Sequence, residues 1–223
     1  MSRSPRSILP ATVLLCLFLL PSTGPPSVQA QEALRIQLPA PDTQGGLPLM
    51  QALKLRSSSR TFSDRTLPDQ VLSDLLWAAF GINRPGSGKR TAPSAVNWQE
   101  IDIYVSMEKA LYLYEPEDHA LLLVRDQDLR ALAGEQAFVA SAPVNLIYVA
   151  DYDRIGRGAM ADKDFYAAAD TGFIAQNVYL FCASEGLSVV VRAMIDRPAL
   201  AQAMGLDPDQ HITLSQTVGY PSP

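Results

Sequence analysis

Arg56-Ser57-Ser58-Ser59-Arg60-Thr61-Phe62-Ser63-Asp64-Arg65 is the stretch from which the rest of the chain is best read. Within its first five residues, two arginines flank three serines. Guanidinium forks bind phosphate and carboxylate bidentately, and hydroxyls and backbone N–H groups add further donors. The chain as a whole is acidic, with a net charge of −5. A cationic, hydroxyl-rich cluster in such a chain reads as a seat for an anionic ligand; the plainer reading is a polar linker between two helices.

Working outward, Pro48 opens a short helix over Leu49–Leu55 that delivers the chain to Arg56. On the far side, Pro68 suits the first position of a stronger helix. Val71, Leu72, Leu75, Leu76, Ala79 and Phe80 recur at helical spacing, and Gly81 suits its end. Trp77 borders that stripe as core filler. Gly81–Gln99 reads as a long irregular loop carrying Arg84, Lys89 and Arg90, and loops of that length are uncommon unless functional. Ile101–Ser106 alternates as a strand. Leu111–Glu115 and Ala120–Val124 form a hairpin around Pro116-Glu117-Asp118-His119, which makes His119 a turn residue. Asp126 is placed to cap a helix through Ala133, and Gln136–Ser141 reads as a further helical turn. Pro143–Ala150 is a buried strand, and Asp151–Lys163 a polar loop.

The longest helix is expected from Asp164 to Glu185, stopping at Gly186. Small and apolar residues cover most of its circumference, so burial on several sides is expected. Asp170, Gln176 and Asn177 then need hydrogen-bond partners. Leu187–Val191 is a strand, Asp196 caps a last helix through Met204, and Ile212–Tyr220 is the terminal strand. The result is an α+β domain.

Hydrophobic residues make up 48% of the chain and charged residues 18%, enough apolar material for a sizeable core. Residues 1–30 are set apart from the fold. Arg3 and Arg6 precede the apolar run Ile8–Leu20, and Val28-Gln29-Ala30 fits a cleavage site, the pattern of a signal peptide. Export to the periplasm or the exterior is therefore expected, with residues 31–47 as a mature N-terminal arm and 48–223 as the folded domain. Cleavage would leave Cys182 as the sole cysteine and move the net charge from −5 to −7. An intramolecular disulfide is then excluded, and nucleic acid is disfavoured as a partner. His119 and His211 lack ligand spacing, so no metal site is expected. The sequence carries no G-x-G-x-x-G, no P-loop and no Ser/His/Asp arrangement, so no catalytic side chain is named. Chemistry without a protein nucleophile points to a cofactor.

Several of these pieces, in order, resemble the FMN-dependent nitroreductase family. Leu55–Arg65 looks like the opening signature of that family, and Leu67–Ala79 is similar to the helix after it. Arg90-Thr-Ala-Pro-Ser-Ala95 with Asn97 resembles its flavin-contacting loop. Asp170-Thr-Gly-Phe-Ile-Ala-Gln-Asn177, Glu185-Gly-Leu187 and Val218-Gly-Tyr-Pro221 resemble its long helix, the exit from it and the terminal strand. Tyr104 through Pro143 resembles the subgroup that oxidises azoline rings in peptides. The resemblance implies a mixed central sheet flanked by helices, in a segment-exchanged homodimer with FMN at the subunit interface. By position, Arg56, Ser57, Ser58 and Arg60 would hold phosphate and ribityl. Ser94 and Asn97 would reach the flavin from the other subunit. Arg192, Ala193 and Met194 would pass the ring, with Ala193 or its neighbour offering a backbone N–H. The implied activity is transfer of hydride or electrons through FMN to a nitro, quinone or similar small-molecule acceptor, with NAD(P)H as a candidate donor. The alternatives are flavin-dependent oxidation of an azoline-like substrate and a non-catalytic flavin-fold binding protein.

Overall fold

The computed structural model describes residues 35–158 and 160–222. The expected signal peptide, residues 1–30, lies outside the described residues. The first described element is β1 (Arg35–Gln37), inside the stretch expected to be an arm. It pairs antiparallel with β6 (Ala120–Arg125), and the Arg35 guanidinium meets Asp118 at 2.7 Å. Backbone pairing at a free sheet edge orders a stretch whose proline and glycine content had argued for an arm.

Two helices follow. α1 (Leu49–Leu55) and α2 (Asp69–Phe80) take the expected spans. Pro48 and Pro68 stand just before them and contribute only a carbonyl: Pro68 accepts from the Leu72 N–H at 3.0 Å. Leu72, Leu75, Leu76, Ala79 and Phe80 are buried, so the stripe read from the sequence is the packed face. Trp77, by contrast, is half-buried and donates from Nε1 to the Ile82 carbonyl.

The stretch after Gly81 is more ordered than expected. β2 (Ile82–Arg84) and β3 (Lys89–Arg90) form a small hairpin of their own. Gly88, at φ +62°, sits just before β3. The hairpin was illegible because its strands are two and three residues long and carry no alternation.

β4 (Ile101–Ser106), β5 (Leu111–Glu115) and β6 form a meander by way of short turns. The helix expected through Ala133 is a single 3-10 turn over Arg130–Leu132. Its organiser is Asp128, not Asp126: Asp128 Oδ1 accepts the Arg130 N–H at 3.0 Å, and both oxygens take the Arg130 guanidinium. A second 3-10 turn spans Ala137–Val139.

β7 (Val144–Asp151) leads to α3 (Met160–Glu185), which begins four residues before the expected start. Gly186 ends it at φ +67°, a conformation that favours glycine. β8 (Ser188–Arg192), α4 (Arg197–Met204) and β9 (Gln210–Gly219) complete the chain. Asp196 caps α4 as expected, accepting from the Ala199 N–H at 3.1 Å.

The seven strands other than β2 and β3 form one sheet in the order β1-β6-β5-β4-β7-β9-β8. An α+β domain with one central sheet was expected, and that is the fold. Strand directions were expected to be mixed, yet all six pairings are antiparallel. The reason lies in the α3 crossover. β7 and β8 run the same way on either side of it, but β9 inserts between them, antiparallel to both.

Alternation along β7 assigns the two faces of the sheet. Val144, Leu146, Tyr148 and Ala150 pack with α2 and α3 in the larger core. Ile147 and Val149 pack with Leu200 and Met204 of α4 and with Leu129, Ala133 and Val139 of the turn segments. The helices therefore lie on both faces, and the sheet is buried between them. Burial of each of the largest aliphatic side chains contributes roughly 1.5–3 kcal/mol.

α3 is less enclosed than expected. One stripe is buried, including Ala167, Ile174, Val178 and Cys182, while Phe165 is 69% and Phe173 48% exposed. Of its polar positions, Asp170 accepts from the Ala95 N–H, Asn177 donates to the Ala79 carbonyl at 3.3 Å, and Gln176 faces outward.

Candidate functional site

The Arg56–Arg60 segment leaves α1 and runs beside β8 and the C-terminal half of α3. Its anchor is Ser59, whose N–H donates to the Val189 carbonyl at 2.9 Å and whose Oγ meets Ser188 Oγ at 3.2 Å. Tyr179 of α3 organises the neighbouring residues. Its hydroxyl lies 2.8 Å from Ser58 Oγ and accepts from the Val191 N–H at 3.0 Å, and the Arg56 guanidinium stands 5.4 Å from its ring centroid. Among the described residues, no carboxylate is paired with Arg56 or Arg60. Two guanidiniums therefore remain available in one short segment, with Ser57 and Ser58 exposed between them.

Arg60 reaches a cleft of about 180 Å³, shared with Gln136, Phe138, Val191, Arg192, Ala193 and Met194. The fold thus brings together Arg60 and the Arg192–Met194 segment, which are more than a hundred residues apart in sequence. Ala193 and Met194 are exposed on the rim.

Arg192 differs from the expectation of a side chain passing an open ligand. It is only 7% exposed and turns into the sheet's second face. There it donates to Thr217 Oγ1 and Ser215 Oγ at 2.5 Å each, to the Ala133 carbonyl at 3.2 Å and to Asn145 Oδ1 at 3.3 Å. No carboxylate pairs with it among the described residues, and burial pushes its guanidinium down to about 10. One donor, Nε, has no partner, and neither does the nearby acceptor Gln136 Oε1. A Cβ at Gly134 would stand 3.0 Å from that Nε and 3.2 Å from that Oε1. The absence of a side chain at 134 keeps this corner open.

Gln136, Phe138 and Tyr179 were missed in the sequence. Phe138 lies 5.6 Å from the Arg192 guanidinium and 5.3 Å from the Phe62 ring. The available signal for the first two was the short turn at 136–141, which puts an amide and an aromatic just after Gly134.

Ser94 and Asn97 lie elsewhere. Their loop is held against Asp170 by the Ala95 N–H, at 2.8 Å, whereas Arg56 and Ser58 gather at Tyr179. Those two anchors are nine residues apart on α3, about 14 Å along a helix. Within one chain the two predicted sets have separate anchors. Ser94 Oγ accepts the Gln99 N–H at 3.0 Å, and Asn97 is exposed at φ +61°.

His119 is a turn residue, as expected, at φ +48°. It also clasps three elements. Ser73 Oγ donates to the Pro39 carbonyl at 2.6 Å, so it accepts from His119 Nε2 at 2.7 Å, and Nδ1 then accepts from the Tyr114 hydroxyl at 2.9 Å. Both ring nitrogens are thereby engaged, and burial holds the imidazole below its usual range. Cys182 is free and buried, and burial pushes its thiol up, a condition that suppresses reactivity. Among the described residues no His, Cys, Asp and Glu group is arranged to hold a metal, and no helix is long and apolar enough to cross a membrane.

The fold is therefore an α+β domain, one sheet with helices on both faces, and beside β8 it carries an arginine–serine segment that no carboxylate pairs among the described residues. The Nitroreductase family profile matches residues 53–220, and the chain belongs to that family. A candidate nitroreductase of Methanocaldococcus jannaschii is 34% identical over 170 residues, which span 71% of this chain and 83% of the relative. The crystal structure of a candidate nitroreductase from Ralstonia eutropha JMP134 superposes with a TM-score of 0.82 at 44% identity, covering 85% of this chain and 90% of that one. A family structure from Desulfovibrio desulfuricans, in complex with FMN, has the same fold: TM-score 0.58, 20% identity, and coverage of 80% and 89% of the two chains. Membership and the flavin oxidoreductases among the structural neighbours support a general oxidoreductase.

Proposed function

We propose that the protein is an exported FMN-dependent oxidoreductase, active as a homodimer, that passes hydride or electrons to a nitro, quinone or similar small acceptor. The observation that carries this reading is a pair of guanidiniums without a carboxylate partner in the segment that Ser59 anchors to β8: Arg60 lines the cleft shared with Ala193 and Met194, and Arg56 lies by the Tyr179 ring. The residues present fit the cofactor. Arg56 and Arg60 suit its phosphate, and Ser57 and Ser58 suit its ribityl hydroxyls. Arg192 Nε and Gln136 Oε1 are unpartnered polar atoms at the same corner, a donor and an acceptor suited to a heteroaromatic edge.

When bound, FMN supplies the two-electron chemistry for which the chain carries no catalytic side chain. The protein's own tasks are to hold the phosphate, to present a backbone N–H from Ala193 or Met194 to the ring, and to exclude water. Arg192, buried behind the cleft, would keep positive charge there, which would suit an electron-accepting flavin ring. The dimer supplies what one chain lacks, because Ser94 and Asn97 of the partner subunit would complete the half-site. The exposed apolar residues of α1 and α3 support it: Leu49 at 61%, Met50 at 75%, Leu55 at 55% and Phe165 at 69% form surface suited to burial against a second copy.

The test is an absorbance spectrum of the purified mature protein with FMN, followed by steady-state assays with NADH, NADPH and artificial acceptors. A bound flavin spectrum with ping-pong turnover is expected. A protein that stays colourless with FMN would be the non-catalytic flavin-fold alternative. Flavin reduced by an azoline-like substrate, but not by nicotinamide, would reverse the direction of electron flow. Soluble nicotinamides are scarce outside the cytoplasm, so the assay also includes a non-nicotinamide donor.

A further inference from the structure

Glu100 stands at the foot of the loop that carries Ser94 and Asn97, one residue before β4. Its side chain is 0% exposed, and neither carboxyl oxygen has a hydrogen-bond partner among the described residues. The neighbouring carboxyl is Asp170 of α3, 3% exposed, whose Oδ2 accepts the Ala95 N–H at 2.8 Å. Two ionised carboxylates buried together have no donor between them. One proton shared by the pair supplies that donor and removes the repulsion.

The surrounding charges leave the pair in need of that proton. Arg154, from the β7–α3 connection, is the cation that acts on Glu100, but its guanidinium is paired with Asp102 and Asp151 and donates to the Gln99 carbonyl at 3.0 Å. Arg90 of β3 gives Nε to Gln99 Oε1 and Nη2 to Glu117 Oε1, each at 2.8 Å, and its Nη1 has no partner among the described residues. Burial and the Asp170 charge push the Glu100 carboxyl up to about 7.

The loop needs holding. Val96 at φ +50°, Asn97 at +61° and Gln99 at +51° are left-handed, which is unfavourable for side-chain-bearing residues and most of all for a β-branched one. Val96 is also 83% exposed, so it gains no burial in return. The loop's hydrogen bonds include Gln99 N–H to Ser94 Oγ, Gln99 Nε2 to the Gly88 carbonyl, and the Asp170–Ala95 clamp.

We propose that Glu100 and Asp170 form a one-proton carboxyl pair that positions the 94–97 loop, so that Ser94 and Asn97 keep their presenting geometry only while Glu100 is protonated. The consequence for cofactor binding rests on the flavin reading above; the loop clamp itself does not.

The experiment measures amide exchange at Ala95 in the full mature protein from pH 6 to 8, corrected for intrinsic rates, with FMN titrations at the same pH values. In wild type, Ala95 protection should fall about tenfold or more as pH rises, and FMN should bind about tenfold more weakly at pH 8. Glu100→Gln, which donates without titrating, should keep both at their pH 6 values. Asp170→Asn should lose Ala95 protection at both ends of the range. A flat wild-type profile, or Glu100→Gln following wild type, would overturn the proposal. So would FMN affinity that is independent of pH while Ala95 responds. If the variants do not fold, carbon NMR of the Glu100 carboxyl in wild type decides: a midpoint near 7 supports the pair and one near the ordinary glutamate value sinks it. Failure of FMN to bind at any pH would remove the flavin reading and leave Ala95 exchange to judge the clamp.

Discussion

At the scale of single residues, the reading turns on Arg60. A charge-assisted hydrogen bond to phosphate is worth roughly 1.5–3 kcal/mol. Arg60→Ala should therefore weaken FMN about 10- to 100-fold in a fluorescence titration. Arg60→Lys should recover part of that loss, because lysine keeps the charge but not the fork. Riboflavin, which lacks the phosphate, should bind wild type and Arg60→Ala alike; equal losses for both ligands would return Arg56–Arg60 to the role of a polar linker. His119 offers a contrasting case. Its two nitrogens are committed to buried partners, Ser73 at 0% and Tyr114 at 3% exposure. His119→Ala should cost about 1–3 kcal/mol in chemical denaturation while leaving FMN affinity unchanged. A loss of affinity without a loss of stability would contradict this clasp.

Individual elements show where local sequence decides structure and where it does not. α4 has a local stop and start: Asp196 caps its first turn, and Gly205 ends it at φ +73°. Asp196→Ala should cost about 1 kcal/mol, read as a shifted urea midpoint at unchanged slope. Gly205 is a stricter case, since its left-handed backbone disfavours any side chain and a Cβ there would also displace the Arg125 guanidinium. The segment after β6 shows the opposite. Asp126 looked like a helix cap, but the bidentate Asp128–Arg130 interaction closes a 3-10 turn instead. The competing aspartate two residues on is a local signal, yet only the Arg130 Nη1 bond to the Ala142 carbonyl, at 3.2 Å, shows why it prevails.

On the scale of the molecule, two properties can be measured. The first is assembly: the apolar faces of α1 and α3 and the two separately anchored sets lead us to expect a dimer at micromolar concentration in sedimentation with FMN present. A monomer under those conditions would count against both the dimer and the interface site. The second is the pH dependence of stability. Glu100 is raised in the fold to about 7 from 4.5, so the native state holds a proton that the unfolded chain releases. Its contribution is complete below about pH 4.5 and is lost as pH rises toward 7. Glu100→Gln should remove that slope from the denaturation midpoints, and a slope unchanged in the variant would assign it to another group.

Much of this protein was legible in its sequence because the signals are local. The spans of α1, α2, β4 and β5 follow from periodicity and from Pro48, Pro68 and Gly81. The order of the motifs identified the family. The Arg56–Arg60 cluster was visible because its donors are contiguous. What only the tertiary structure decided depends on partners far away in the chain. β9 lies between β7 and β8, which alternation alone cannot reveal. Arg192 turns inward because Asn145, Ser215 and Thr217 share its face of the sheet. Glu100 and Asp170 are seventy residues apart, and although the helix pattern marked Asp170 as needing a partner, nothing in the sequence pointed to Glu100. Burial between the sheet and α3 makes them a pair, since the energy of a charge depends on what surrounds it and not on its neighbours in sequence.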